Sequence, residues 1–157
     1  MRKVVLLGRG AAGKSTAARK LGEATNLPVF ELDKYFWQPG LTPLSNEEWK
    51  SVQEQLAHRN KWIMDGDLGK YDVLSERLKF ADTVMILDFP LRICFPRALK
   101  RSKERMDFWW WLVTWRLSEL PKIRNTIETY APNAKVITFR SPKQLDKFLE
   151  KLQLLSA

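Results

Sequence analysis

The stretch Val4-Val5-Leu6-Leu7-Gly8-Arg9-Gly10-Ala11-Ala12-Gly13-Lys14-Ser15 decides how this chain folds, because it joins an apolar run directly to the pattern G-x-x-x-x-G-K-S. Context matters more than spelling here. Four apolar residues in a row predict a buried strand, and the glycines predict a tight turn. From Lys14 onward, Ala17, Ala18 and Leu21 fall where a helix would pack them on a sheet. A helix starting at that point turns unpaired N–H groups and the positive end of its dipole towards the turn, which makes a phosphate cradle. The amides of Gly8, Arg9, Gly10, Ala11, Ala12 and Gly13 are expected to hold a polyphosphate, with Lys14 reaching the β- and γ-phosphates. Ser15 is the expected magnesium ligand through its hydroxyl, and Thr16 is placed to hydrogen-bond the α-phosphate. ATP and Mg2+ are therefore the expected cofactors.

Bulk properties narrow the class further. With 157 residues the chain supports one core and not two ordinary domains, so residues 1–157 are read as a single domain. Its 45% apolar and 29% charged content is that of a globular protein. The longest notable apolar run, Phe108-Trp109-Trp110-Trp111-Leu112-Val113, is far too short to cross a bilayer, which argues against a membrane partner. Cys94 is the one cysteine, so no intrachain disulfide forms and a cytoplasmic location is expected, with a buried thiol as its default role. The net charge of +9 permits nucleic-acid binding, but no helix-turn-helix, zinc site or basic-aromatic ribbon accompanies it. The excess is concentrated instead: Arg92, Arg97, Lys100, Arg101, Lys103 and Arg105 face a single anion, Glu104, within residues 92–105. Such a cluster suits a polyphosphate at least as well as a duplex.

Further along, residues 27–32 predict a second strand ending at Asp33, and Pro39, Gly40 and Pro43 predict a loop. Ser45-Asn46-Glu47-Glu48 is a capping box, and Trp49, Val52 and Leu56 continue it as a helix over 46–58 with His58 at its end. Trp62-Ile63-Met64 and Thr83-Val84-Met85-Ile86-Leu87 read as buried strands, with a short helix around 70–79 between them. A basic helix containing Pro96, a long helix over about 108–129, a strand at 135–139 and a last helix from Ser141-Pro142 complete the chain. Continuous apolar strands alternating with helices predict a parallel sheet covered on both faces.

Two aspartates end buried strands and qualify as the second magnesium anchor: Asp65, followed by a glycine, and Asp88, after the longer apolar run. Asp33 is placed to hold or deprotonate an acceptor hydroxyl, unless it only closes a turn. Tyr35, Phe36 and Trp37 beside it either line an acceptor pocket or belong to the core. Arg97, Arg101 and Arg105 recur every four residues with Lys100 between, so a helix gathers them on one basic face that can neutralise a phosphoryl group in transfer. In the tryptophan-rich stretch, Phe108, Trp111, Leu112 and Trp115 form one core stripe. Trp109, Trp110 and Val113 turn elsewhere and are a candidate homodimer contact.

The ordered set of the glycine loop, Leu32-Asp33-Lys34 with Phe36-Trp37, Trp62-Ile63-Met64-Asp65-Gly66, Leu87-Asp88-Phe89-Pro90 and Arg140-Ser141-Pro142 resembles adenylate-kinase-like P-loop kinases along nearly the whole chain. It resembles more closely the DNA topology modulation (flagellar-regulator-type) kinase family. The resemblance implies an α/β, three-layer P-loop NTPase fold with a five-stranded parallel sheet in the order 2-3-1-4-5. It also implies a short helical lid within about residues 96–124. It places Asp65, not Asp88, where magnesium is contacted through water, and Arg97 and Arg101 among the lid-base arginines that bind phosphate. Arg116 or Arg124 match later transition-state arginines, and Ser141 and Pro142 fall in the loop bordering the adenine. The implied activity is Mg-ATP-dependent phosphotransfer to a small acceptor, with nucleosides and nucleotides first among candidates. The alternative is a regulatory ATP-binding protein or ATPase that engages DNA. Around Asp65-Gly66-Asp67 no arginines correspond to those that bind AMP in adenylate kinases, which argues against AMP as the acceptor.

Overall fold

The computed structural model describes residues 1–68, 72–101 and 106–156. The chain runs β1 (Lys3–Gly8), α1 (Lys14–Thr25), β2 (Val29–Glu31), α2 (Leu32–Phe36), a hairpin of β3 (Trp37–Gln38) and β4 (Thr42–Pro43), then α3 (Asn46–Ala57) and β5 (Trp62–Asp65). It continues through α4 (Leu74–Leu78), β6 (Thr83–Leu87), α5 (Leu91–Arg101), α6 (Met106–Tyr130), β7 (Lys135–Phe139) and α7 (Pro142–Ser156). The main sheet has the order β2-β5-β1-β6-β7 and every pairing in it is parallel. With the hairpin set aside, that is the 2-3-1-4-5 order that the family resemblance implies.

The physical reason lies in β1. Its side chains alternate between two cores, and both are apolar. Val4 and Leu6 join Ala18 and Leu21 of α1, Ala98 of α5 and Leu149 of α7 on one face. Val5 and Leu7 join Trp49 of α3, Leu78 of α4 and Trp115 and Ile123 of α6 on the other. A strand with no polar face is stable only between two helical layers. Parallel strands all end on one side, so the loops after β1, β2, β5 and β6 open at one edge, where ligands of open α/β sheets bind.

Local readings differ from the structure in four places. Residues 37–43 form the small β3–β4 hairpin, closed by Leu41 N–H to Gln38 O at 3.0 Å with Gly40 and Leu41 both at positive φ. Residues 32–36 form a helical turn, because Leu32 and Phe36 lie one turn apart and both bury completely. Pro96 marks no restart: α5 runs unbroken from Leu91 to Arg101 with Pro96 on its exposed side. The helix expected around 70–79 is realised as α4, and residues 69–71 lie outside the described residues. The capping box is as read: Ser45 Oγ accepts from Glu48 N–H at 3.2 Å, and Ser45 N–H donates to Glu48 Oε2 at 2.9 Å. No helix among the described residues is long and apolar enough to cross a membrane.

Candidate active site

The glycine loop is shaped by what surrounds it. A Cβ on Gly8 would stand 2.8 Å from both the Cβ and the carbonyl oxygen of Leu87, so β1 and β6 close to this spacing only with glycine there. Ala11 and Gly13 adopt positive φ (56° and 87°), which turns the chain back under the start of α1. Gly13 is the N-cap of α1 and no side chain caps that end, so the first amides of the helix remain for a ligand. Lys14 Nζ donates to Gly8 O at 3.0 Å and Arg9 O at 3.3 Å, which suspends the ammonium over the loop. Arg9 turns the other way. Its guanidinium is buried, donates to Phe89 O at 3.3 Å and lies over the Trp115 ring. Burial pushes its pKa down, and neighbouring Arg116 adds to the shift.

A cleft of about 780 Å³ opens above this loop. Residues 10–17 form its floor, and Asp33, Asp65 and Asp67 form the wall where β2 and β5 end. Arg97, Lys100 and Arg101 enter from α5, and Arg97 Nη1 donates to Ala12 O at 3.3 Å, tying that helix to the loop. Phe108 and Trp111 of α6 cover one side so closely that a Cβ on Gly10 would lie 2.7 Å from the Trp111 ring. Pro142 lines the far end.

Of the residues singled out from the sequence, Gly10 to Thr16, Asp33, Asp65, Arg97, Arg101 and Pro142 line one cleft, whereas Gly8 and Arg9 support it from beneath. Ser141 is instead used locally: its Oγ accepts from Gln144 N–H at 3.3 Å at the start of α7. Arg105 lies outside the described residues. Tyr35 and Trp37 are exposed, Phe36 is core, and none of the three lines the cleft.

The two strand-end aspartates part company. Asp88 is held by Arg116, whose Nε donates to its Oδ1 at 2.9 Å and whose Nη2 donates to its carbonyl at 3.3 Å, and neither residue lines the cleft. Arg124 is exposed on α6 and lies away from the cleft as well. Asp65 is 4% exposed, lies close enough to the Ser15 hydroxyl for it to favour the charged carboxylate, and leaves Oδ1 buried without a partner. A buried orphan carboxylate oxygen beside a hydroxyl suits a hard cation, so these residues fit magnesium. Among the described residues no cluster of three or more side-chain ligands exists. The remaining coordination positions would fall to phosphate oxygens and water, as is usual for this ion.

Burial raises the Asp65 pKa; Asp33 and Glu31 push the same way, and Ser15 and Lys14 oppose. Burial likewise raises Asp33, with Asp67, Asp72 and Glu31 adding and Lys14 opposing, although the Asp33 side chain keeps access to solvent through the cleft. A carboxyl whose folded pKa lies above its unfolded value binds more protons when folded. Stability therefore falls as pH rises from the ordinary carboxylate value through the raised one, and the penalty is complete at neutral pH. Asp65→Asn is expected to raise the melting temperature at pH 7 in the absence of magnesium, and to lose that gain at pH 4. A lower melting temperature for the variant at pH 7 would show that the charged form is not strained.

The sequence reading missed a network beside the acidic wall. Arg77 of α4 is fully buried, and Nη1 and Nη2 donate to Asp72 Oδ1 and Oδ2, each at 2.7 Å. The same groups reach Gln53 Oε1 at 2.7 Å and Gly66 O at 3.0 Å, between Asp65 and Asp67. The sequence offered no clear signal, because Ser75, Glu76 and Arg77 together make this turn look polar.

This sheet order, glycine loop and arginine-bearing helix together define the fold of the P-loop kinases. Solved structures agree. A shikimate kinase from Acinetobacter baumannii in complex with shikimate is similar with a TM-score of 0.61 at 20% identity, covering 99% of this chain and 93% of that one. A sugar kinase from Janibacter sp. HTCC2649 matches with a TM-score of 0.55 at 22% identity over 100% of this chain and 98% of that one. A gluconokinase from Sinorhizobium meliloti 1021 matches with a TM-score of 0.52 at 18% identity, covering 99% and 98%. No protein-family model and no curated protein matches the sequence.

Proposed function

We propose that the chain is a Mg-ATP-dependent phosphotransferase that moves the γ-phosphoryl group of ATP to a hydroxyl of a small acceptor. The observation that carries this reading is the convergence in one cleft of uncapped α1 amides, Lys14, a buried unpartnered Asp65 Oδ1 and the α5 arginines. Residues 1–157 act in this reading as one kinase domain of the adenylate-kinase-like class, with the lid within about 96–124. The flagellar-regulator-type placement belongs to the same reading. The amides of residues 8–13 bind the phosphates, Thr16 takes the α-phosphate, and Lys14 holds the β- and γ-phosphates. Ser15 and Asp65 would hold magnesium, which when bound would supply neutralisation of the phosphate charge. Arg97 and Arg101, with Arg105 four residues further along the sequence, neutralise the equatorial oxygens of the moving group. Asp33 orients the acceptor hydroxyl and takes its proton, a role suited to a carboxyl with a raised pKa. Pro142 borders the base. Of the residues expected to turn away from the core, Trp109 packs against it beside Phe95, whereas Trp110 and Val113 are exposed and, in line with Met106 and Leu117 on α6, form the stripe we assign to a second copy.

A non-hydrolysable ATP analogue with Mg2+ is expected to raise the melting temperature in a concentration-dependent way, by mass action on the folded state. No shift at millimolar analogue overturns the reading. A plain ATPase would instead show hydrolysis that no acceptor accelerates.

A further inference from the structure

The apolar stripe of α6 is not uniform. Leu112 and Trp115 are wholly buried, whereas Phe108 and Trp111, nearer the start of the helix, keep part of their surface and line the cleft. Core packing accounts for the first two. It does not account for aromatic surface left open in a ligand cleft. Both rings are closely set: their centroids lie 5.9 Å apart with the planes tilted by 43°. A Cβ on Gly10 would stand 2.7 Å from the Trp111 ring and 3.0 Å from that of Phe108, so the pair rests directly on the glycine loop.

The two layers of the fold show which ligand this wall faces. Pro142, Leu145 and Asp146 of α7 line the cleft together with Lys20 of α1, which pairs with Asp146 at 3.4 Å. Leu145 is buried with Ala17 and Ala18 of α1 in one core. In the kinase reading the nucleoside lies at that end, beyond Thr16. Trp111 packs against the opposite core, which holds Leu32 and Phe36 of the helical turn that carries Asp33. Phe108 leans on the first core, so the pair spans the join between the layers. Trp111 therefore stands on the Asp33 side of the phosphates, where an acceptor and not the base of ATP would lie.

Resting on the kinase reading above, we propose that Phe108 and Trp111 determine acceptor specificity by stacking a ring: the acceptor carries its reacting hydroxyl on a cyclic compound with an apolar face, and open-chain polyols are disfavoured. A flat ring meets the π-faces with many atoms at once, and its C–H groups or π-system suit the ring quadrupoles. An open chain must freeze several rotors to make the same contact. In the transfer, the ring hydroxyl oxygen bonds to Pγ as the bond from Pγ to the β,γ-bridging oxygen breaks. The bridging oxygen leaves on ADP with the electron pair, and the hydroxyl proton passes to Asp33. Saturated carbohydrate rings and nucleosides share the required face, and the arms of the test separate them.

The test is acceptor-dependent ADP release with Mg-ATP across pyranoses, cyclitols and nucleosides, set against open-chain polyols of matched size. At least one ring compound is expected to exceed every polyol by at least about tenfold in kcat/KM, and the arm in which it falls assigns a saturated or an aromatic ring. Trp111→Leu is expected to lower that ring-to-chain ratio about tenfold, and Trp111→Phe to keep most of it. The ratio is independent of the fraction of protein folded. With the preferred ring compound and the Mg-ATP analogue both bound, the parent protein is expected to lose more indole fluorescence than Trp111→Phe, a readout that stands even if the leucine variant does not fold. A polyol that matches the best ring compound overturns the inference, as does the absence of any ring acceptor above the acceptor-free background. A ratio unchanged in Trp111→Leu, or equal quenching in the parent and Trp111→Phe, overturns it too. Binding of the ATP analogue, measured alongside, separates the two readings. If it binds and a polyol is the better acceptor, only this inference fails. If it does not bind, both fail.

Discussion

Lys14→Ala is expected to lower kcat/KM for phosphoryl transfer by about 10³-fold, with a melting temperature within a few degrees of the parent protein. The two halves of that expectation come from different parts of the structure. Loop shape depends on the closeness of Gly8 to Leu87 and on the positive φ of Ala11 and Gly13, and none of these involves the lysine side chain. The bonds from Nζ to Gly8 O and Arg9 O are made from a part-buried position at the edge of the cleft, so water can replace the donor when it is removed. In the proposed kinase reaction catalysis has no such substitute, because the ammonium would stand where charge accumulates on the transferring group. A second consequence follows from the electrostatics. Lys14 lowers both Asp33 and Asp65, so its removal lets both carboxyls rise further. The acid limb of the residual activity is therefore expected to move to higher pH. Unchanged ATP turnover in the variant would remove the phosphate-binding role on which the kinase reading rests.

How far the sequence carries depends on whether a residue's role is local. The strand, glycine loop and helix around Gly8 and Lys14 are contiguous and their chemistry is written in order, so the reading and the structure agree there. That the sheet is parallel and covered on both faces is readable for a related reason: Val4 to Leu7 has no polar face, which suits a strand between two helical layers, whereas the strand order came only from the family resemblance. The choice between Asp65 and Asp88 was not local. Both end buried strands, and what separates them is Arg116, 28 positions beyond Asp88 and brought to it by α6. Nor did helical spacing show that Phe108 and Trp111, read as core, close over Gly10 and wall the cleft. Residues 32–43 were misread because Asp33 and the later Pro39-Gly40 look like turn punctuation, whereas the burial of Leu32 and Phe36 wins and makes a helical turn. Arg77 is the strongest case. A guanidinium in a short polar-looking helix reads as solvated until α3 and the β5 loop are folded around it.

Arg77→Met is accordingly expected to be the most destabilising single change in the protein. The side chain is wholly buried and holds a bidentate pair with Asp72, itself 7% exposed. Methionine fills much of the volume and donates nothing, so the Asp72 carboxylate, Gln53 Oε1 and Gly66 O all lose a donor. Breaking a buried pair by removing one partner costs about 3–5 kcal/mol, which for a chain of this size lowers the melting temperature on the order of 10 °C. The network is not perfect even in the parent protein, since Arg77 Nε and Gln53 Nε2 are buried without partners. That imperfection shapes the second half of the expectation. Removing both charges in Arg77→Met/Asp72→Leu is expected to recover more than half of the loss, because an apolar pair leaves no stranded carboxylate. The double variant still lacks the donor to Gly66 O, at a residue whose φ of 143° and close approach to Leu32 set the path between Asp65 and Asp67. Its stability should therefore return further than its turnover does. A double variant as unstable as Arg77→Met would mean that the arginine contributes packing and not charge pairing. One that regains activity in step with stability would mean that Gly66 needs no anchor.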